Sequence, residues 1–317
     1  MIFHMPSKLQ IIFNSSEIGA GTCGASLGPQ AIVAAARQKK STLFNTHAPF
    51  VLKDWNSLLD QPSAFPYAKR IDGMVKVYKE VASCVELTLK ENKFPIVVAA
   101  DHCSAGGTIR GIQSAFPNKK LGILWIDAHA DLHTPYTTPS GNMHGMPLAT
   151  ALGTDNLSCK RNDIDTNTAV MWHGLKSAAL LPENLIYVAV RDTELEEDSL
   201  IAEHNIKNYT VAELRSKGLN SILEEIKNRF SSCDMVYISF DVDSMDPLYS
   251  SYGTGTPVKD GLTVEEAKTL IMETLRMPQT VAFELVEVNP CLDDQKNKMA
   301  EIALSILEEA ISTLEQK

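Results

Sequence analysis

Leu121-Gly122-Ile123-Leu124-Trp125-Ile126 runs directly into Asp127-Ala128-His129-Ala130-Asp131. The first half is apolar throughout rather than alternating, the pattern of a strand buried on both faces, as in a parallel sheet. The second half carries carboxylate, imidazole and carboxylate at every second position. In extended backbone alternate residues point the same way, so Asp127, His129 and Asp131 share one edge. The stretch therefore predicts a buried strand that opens into metal-capable ligands.

The same arrangement recurs along the chain. Apolar runs are found at Leu9–Phe13, Phe94–Ala99, Leu185–Val190, Met235–Phe240 and Thr280–Val286. Asp101-His102 follows the second of these runs, Asp192, Glu194 and Glu197 the third, Asp241 and Asp243 the fourth, and Glu287 the last. Helical patterns lie between them. Pro29 to Arg37 is Ala-rich, Val75 to Leu89 has apolar residues at helical spacing, and Met299 to Leu314 reads as a closing amphipathic helix. Thr210-Val-Ala-Glu213 and Thr263-Val-Glu-Glu266 match the capping box. Alternating strands and helices predict a single α/β domain over residues 1–317, with three αβα layers and a mainly parallel central sheet. Ligands of such sheets bind outside the carboxyl ends of the strands, and the acids and imidazoles collect there.

Bulk properties narrow the function. The chain has 317 residues, 44% hydrophobic and 21% charged, as in ordinary globular proteins. A net charge of -10 argues against nucleic acid or an anionic membrane as partner. No apolar run is long enough to span a bilayer, and Met1 to Phe13 does not read as a signal peptide. The 6 cysteines are scattered without a CxxC pair, so reduced thiols and a cytoplasmic location are expected. Asp131 to Asn142, rich in Thr, Pro, Ser and Gly, is expected to be a loop beside the first cluster, placed to hold substrate.

The ligand types select the metal. Aspartates with some histidine suit Mn²⁺ best, and Fe²⁺, Co²⁺ and Ni²⁺ are compatible. So many clustered carboxylates would repel and protonate unless two dications compensated them. Alone, any one of these residues reads as a helix cap, a turn residue or a solvated side chain; together they point to a metal hydrolase. Other motifs lack their context. Gly19-Ala-Gly21-Thr-Cys-Gly24 matches GxGxxG without an acid about 20 residues later, and reads as a flexible loop. Asp241-x-Asp243-x-x-Asp246 lacks the glycine and glutamate of a calcium loop. Cys103 reads as a small packed residue.

Asp101-His102, Asp127-Ala-His129-Ala-Asp131, Ser239-Phe-Asp241-Val-Asp243-Ser-Met-Asp246-Pro247 and Glu287-Val-Asn-Pro290 resemble, in order, the motifs of the ureohydrolase (arginase/agmatinase) family. The stretches Thr134 to Leu148 and Glu287 to Asp293 are most like its arginase branch. The resemblance implies a dimanganese site. His102, Asp127, Asp131 and Asp241 would hold one ion, and Asp127, His129, Asp241 and Asp243 the other. A hydroxide bridging the ions would attack the guanidinium carbon of L-arginine to give L-ornithine and urea. Asp131 would accept the hydroxide's hydrogen bond and Glu287 would anchor the guanidinium. His144 would hand a proton to the leaving amine, and Thr256 would orient the reacting centre. The α-carboxylate would meet His133, Thr138, Ser140 and Asn142, and the α-amine Glu194 and Glu197. The family also implies a homo-trimer or homo-hexamer.

Three positions depart from the family's pattern. His133 stands for the usual Asn, Glu194 for the usual Asp, and Ala99-Ala100 for a double glycine. They leave agmatinase, guanidinobutyrase or formiminoglutamase activity open beside arginase. A catalytically silent metal-binding scaffold would have lost His144 or Glu287, and both are present.

Overall fold

The computed structural model describes residues 9–177 and 180–317. Residues 1–8, part of the stretch read as lacking a signal peptide, lie outside the described residues. The strands are β1 (Leu9–Asn14), β2 (Phe50–Val51), β3 (Phe94–Ala99), β4 (Leu121–Ile126), β5 (Leu185–Val188), β6 (Lys207–Tyr209), β7 (Met235–Asp241) and β8 (Thr280–Val286). They form an 8-stranded sheet in the order β2-β1-β3-β8-β7-β4-β5-β6. Every pairing among the described strands is parallel, where the sequence predicts only a mainly parallel sheet.

Helices cover both faces, giving three layers. Ile11, Phe13, Val98, Leu124, Ile126, Ile238, Phe240 and Phe283 pack toward helices Gly28–Gln38, Leu219–Phe230, Val264–Leu275 and Lys298–Glu315. The alternate residues, Ile12, Val97, Ile123, Trp125, Tyr187 and Tyr237, pack toward helices Ile71–Lys90 and Ala105–Ala115. This double burial explains the unbroken apolar runs. Each fully buried large apolar side chain contributes about 1.5–3 kcal/mol.

The departures from sequence expectation have physical causes. The strand expected at Leu185–Val190 stops at Val188, because Ala189 turns to a positive φ of 71°. Thr263 and Glu266 make both arms of a capping box. Thr210 accepts from the Glu213 amide, but the Glu213 carboxylate turns away to Lys207 and Lys217. The sequence reading does not single out helix Ala105–Ala115, whose Gly106, Gly107 and Gly111 lower its helix propensity. Those glycines let it approach helix Ile71–Lys90 closely: a Cβ on Gly106 would lie 2.2 Å from the Tyr78 ring.

Register then sets the functional edge. Ala99 is level with Val286, Val286 with Asp241, and Phe240 with Ile126. The chain therefore leaves β3, β8, β7 and β4, four neighbours at the sheet centre, at nearly one height.

Candidate metal centre

Asp101 and His102 follow β3, Asp127 to Asp131 follow β4, Asp241 closes β7 ahead of Asp243, and Glu287 follows β8. Asp131 and Glu287 both adopt left-handed backbone, with φ of 52° and 67°. Such backbone costs of order 1–3 kcal/mol in a non-glycine residue and collects at functional sites.

His102, Asp127 and Asp241 bring their ligand atoms together, as do Asp127, His129 and Asp243. His102 Nδ1 lies 3.0 Å from Asp127 Oδ2 and 3.2 Å from Oδ2 of both Asp131 and Asp241. His129 Nδ1 lies 3.1 Å from Asp243 Oδ2 and 3.5 Å from Asp127 Oδ1. Asp127 thus spans both groups. Asp241 turns Oδ2 to His102, while its Oδ1 accepts the Asp243 amide at 2.9 Å. Trp125 holds the arrangement from beneath: its ring stacks on His102 at 4.1 Å and its Nε1 donates to Asp127 Oδ2.

The electrostatics show what the cluster lacks. Burial pushes the Asp131 and Asp241 carboxyls well above the usual range, and neighbouring aspartates add to the effect. Burial disfavours the imidazolium of His102, but the Asp127 and Asp241 carboxylates outweigh it and hold it well above the ordinary value. Burial alone would raise Asp127, but the two imidazoles win and lower it. The pocket is short of positive charge. His102 Nδ1 is buried without a partner in hydrogen-bonding geometry, although three carboxylate oxygens surround it. A divalent cation resolves that convergence, so the residues present fit a metal.

Glu287 is almost fully buried beside the cluster. Its Oε1 accepts the His102 amide at 3.0 Å and lies 3.3 Å from His144 Nδ1. Its Oε2 faces Gly255, where a Cβ would sit 3.8 Å away. Burial lowers the His144 pKa, but Glu287 reverses this and raises it overall. Thr256 Oγ1 donates to Asp243 Oδ2 at 3.0 Å.

The remaining predicted residues line the same cleft: His133, Thr138, Ser140, Asn142, Glu194 and Glu197. His133 pairs through Nε2 with Glu194 and lies 3.8 Å from Glu197 Oε2. Glu194 and Glu197 also cap helix Leu195–Glu203 as a box, a role the sequence reading does not assign them. Thr138 Oγ1 accepts the Gly141 amide, and Ser140 Oγ the Asn142 amide.

Some neighbours carried no sequence signal. Lys69 Nζ donates to Asn142 Oδ1 at 3.0 Å. Gly21 backs the cleft, since a Cβ there would lie 2.6 Å from Asn142 Nδ2. The Gly19–Gly24 stretch is a loop pinned by the Gly19 amide to Asp101 Oδ2 at 2.8 Å. Asp246 serves its loop, accepting the Leu248 and Asp260 amides. Cys103 is buried against Tyr78.

A parallel sheet with imidazole–carboxylate groups at its central carboxyl edge is an α/β fold carrying a candidate metal centre. The model of the arginase family matches residues 10–312. The chain is 36% identical to the arginase of Bacillus subtilis (strain 168) over 241 residues, 76% of each chain. It is 32% identical to an arginase of Staphylococcus aureus (strain MSSA476), over 94% of this chain and 95% of that one. The structure of Entamoeba histolytica arginase in complex with L-ornithine superposes with a TM-score of 0.80 at 26% identity, covering 99% of this chain and 100% of that one. The chain belongs to the arginase family.

Proposed function

We propose that this protein is an arginase, hydrolysing L-arginine to L-ornithine and urea. The observation that carries the reading is Glu287: a buried carboxylate joined to His144 at 3.3 Å and to the His102 amide at 3.0 Å, beside the metal-ligand cluster. A guanidinium calls for such an anion; a neutral amide does not.

His102, Asp127, Asp131 and Asp241 would hold one divalent ion, and Asp127, His129, Asp241 and Asp243 the other. Their oxygen-rich set with imidazole favours two Mn²⁺, with Fe²⁺, Co²⁺ and Ni²⁺ as alternatives. When bound, such ions supply Lewis acidity and acidify water. Glu287 anchors and orients the guanidinium by paired hydrogen bonds. Asp131 accepts a hydrogen bond from the attacking water. Thr256 steadies Asp243 and faces the reacting centre. His144, whose pKa Glu287 raises against the effect of burial, gives a proton to the departing amine as the C–N bond breaks. His133, Thr138, Ser140 and Asn142 receive the α-carboxylate, and Glu194 and Glu197 the α-amine.

The single eight-stranded sheet supports one functional unit over residues 1–317. Family membership supports a homo-trimer or homo-hexamer, which light scattering tests. No described helix is long and apolar enough to cross a membrane, and a cytoplasmic enzyme fits the free cysteines. Urea release from arginine, agmatine and guanidinobutyrate, and formamide release from formiminoglutamate, each with Mn²⁺, tests the reading. Turnover of arginine well above the others supports it, and preference for another substrate overturns it.

A further inference from the structure

The cleft is short of positive charge where a substrate carboxylate would lie. Among the described residues its lining holds neither lysine nor arginine, and His133 is paired with Glu194. Lys69 stands one residue behind that wall. Asn142 lines both the cleft and a second cavity, and Lys69 lines the second cavity alone. Lys69 Nζ donates to Asn142 Oδ1 at 3.0 Å, and no ion pair among the described residues takes up its charge. The Lys69 backbone amide donates to the Gly141 carbonyl at 2.8 Å. Gly141 has a left-handed φ of 76°, and a Cβ there would lie 1.9 Å from the Pro66 carbonyl oxygen. The turn that carries Thr138, Ser140 and Asn142 is therefore seated on the segment 66–69 through backbone. The Lys69 side chain has a separate role.

An ammonium has hydrogens to give and no lone pair to receive one. Asn142 must present Oδ1 to Lys69, which settles the exchange of oxygen and nitrogen that an amide otherwise allows. Nδ2, with its two hydrogens, is left on the opposite side. A Cβ on Gly21 would lie 2.6 Å from Asn142 Nδ2 and 3.9 Å from His144 Nε2. Nδ2 thus sits on the His144 side of the residue, where the cleft is. A donor at that wall attracts a carboxylate, whereas an exposed Oδ1 would repel it.

We infer that Lys69 is a positioning residue for substrate selectivity: by holding Oδ1 of Asn142 it keeps the amide's N–H donors turned to the cleft for a carboxylate. The inference rests on the reading of Asn142 as a carboxylate contact. Without Lys69 the amide is free to turn over and offer an acceptor to an anion.

The test is steady-state kinetics of the Mn²⁺-loaded enzyme, with arginine as substrate and agmatine, which lacks the carboxylate, as competitor. Lys69→Met should raise KM for arginine about 10-fold, the scale of a hydrogen bond to a charged group, with kcat little changed. The inhibition constant of agmatine should stay at its wild-type value. Lys69→Arg, again a donor without an acceptor, should bring KM back toward wild type. In an Asn142→Ala background, which itself raises KM, Lys69→Met should add little more. Lys69→Ala decides the matter if Lys69→Met does not fold. A wild-type KM in Lys69→Met, beside a raised KM in Asn142→Ala, would overturn the inference and leave the reading of Asn142 standing. Equal weakening of arginine and agmatine would also overturn it, as the mark of a general defect in the cleft. So would the same loss with and without the Asn142 side chain. Asn142→Ala with the wild-type KM, or a wild type inert toward arginine, would remove the reading itself and the inference with it.

Discussion

Asp127 turns Oδ2 to His102 and Oδ1 to His129, at 3.0 and 3.5 Å between carboxylate oxygen and Nδ1. Its oxygens converge with both groups of ligand atoms, whereas those of Asp241 converge with the His102 group alone. Asp127→Ala should therefore abolish uptake of both ions, whereas Asp243→Ala should weaken mainly the one beside His129. Metal-to-protein ratios after dialysis against Mn²⁺ check this. Equal ratios for the two variants would contradict the bridging role.

His144 touches Glu287 but is absent from both ligand groups. His144→Ala should cut urea release by about 10²–10⁴-fold, the usual worth of a positioned proton donor. Its metal content should stay at the wild-type level. Unchanged turnover would show that the leaving amine takes its proton elsewhere.

His133 and Glu194 pair with each other in the cleft. His133→Ala should raise KM for arginine with kcat little changed, the signature of lost uniform binding. Turnover of agmatine, which lacks the carboxylate, should barely respond. A matching change for both substrates would argue against carboxylate recognition at this position.

Burial, reinforced by Glu287, pushes Asp101 up to about 7. A carboxyl raised on folding contributes stability that is full below its unfolded value of about 4 and is lost as pH rises through its folded value. Metal-free protein should thus lose stability between about pH 4 and about pH 7. Asp101→Asn should flatten that part of the curve. Urea melts at a series of pH values measure it, and parallel curves for the two proteins would refute it.

A Cβ on Gly106 would meet the buried Tyr78 ring at 2.2 Å. Gly106→Ala gains about 1 kcal/mol in helix propensity, but overpacking costs about 1–3 kcal/mol. The net effect should be destabilising, read as a lower urea midpoint with an unchanged slope. A stabilised variant would show that the two helices can separate without cost.

The strands and their ligands were legible because burial on both faces writes an unbroken apolar run, and alternate-position acids and imidazoles write an edge. Asp127, His129 and Asp131 were readable as acids and an imidazole at the end of a buried run, but the strand stops at Ile126 and Asp131 turns to a φ of 52°, so extended alternation does not account for their placing. β2 and β6, of two and three residues, are too short to carry a period. Helix Ala105–Ala115 was hidden because its glycines serve an inter-helix contact rather than a turn. Lys69 was invisible because it meets Asn142 across 73 positions of chain.

The level ends of β3, β8, β7 and β4 tie the candidate metal ligands to backbone pairing at the middle of the sheet. The cleft's outer wall comes instead from the segments at 131–142 and 192–197. A change in those outer segments, at His133 for example, can therefore alter the entrance while the backbone pairing under the candidate ligands stays as it is.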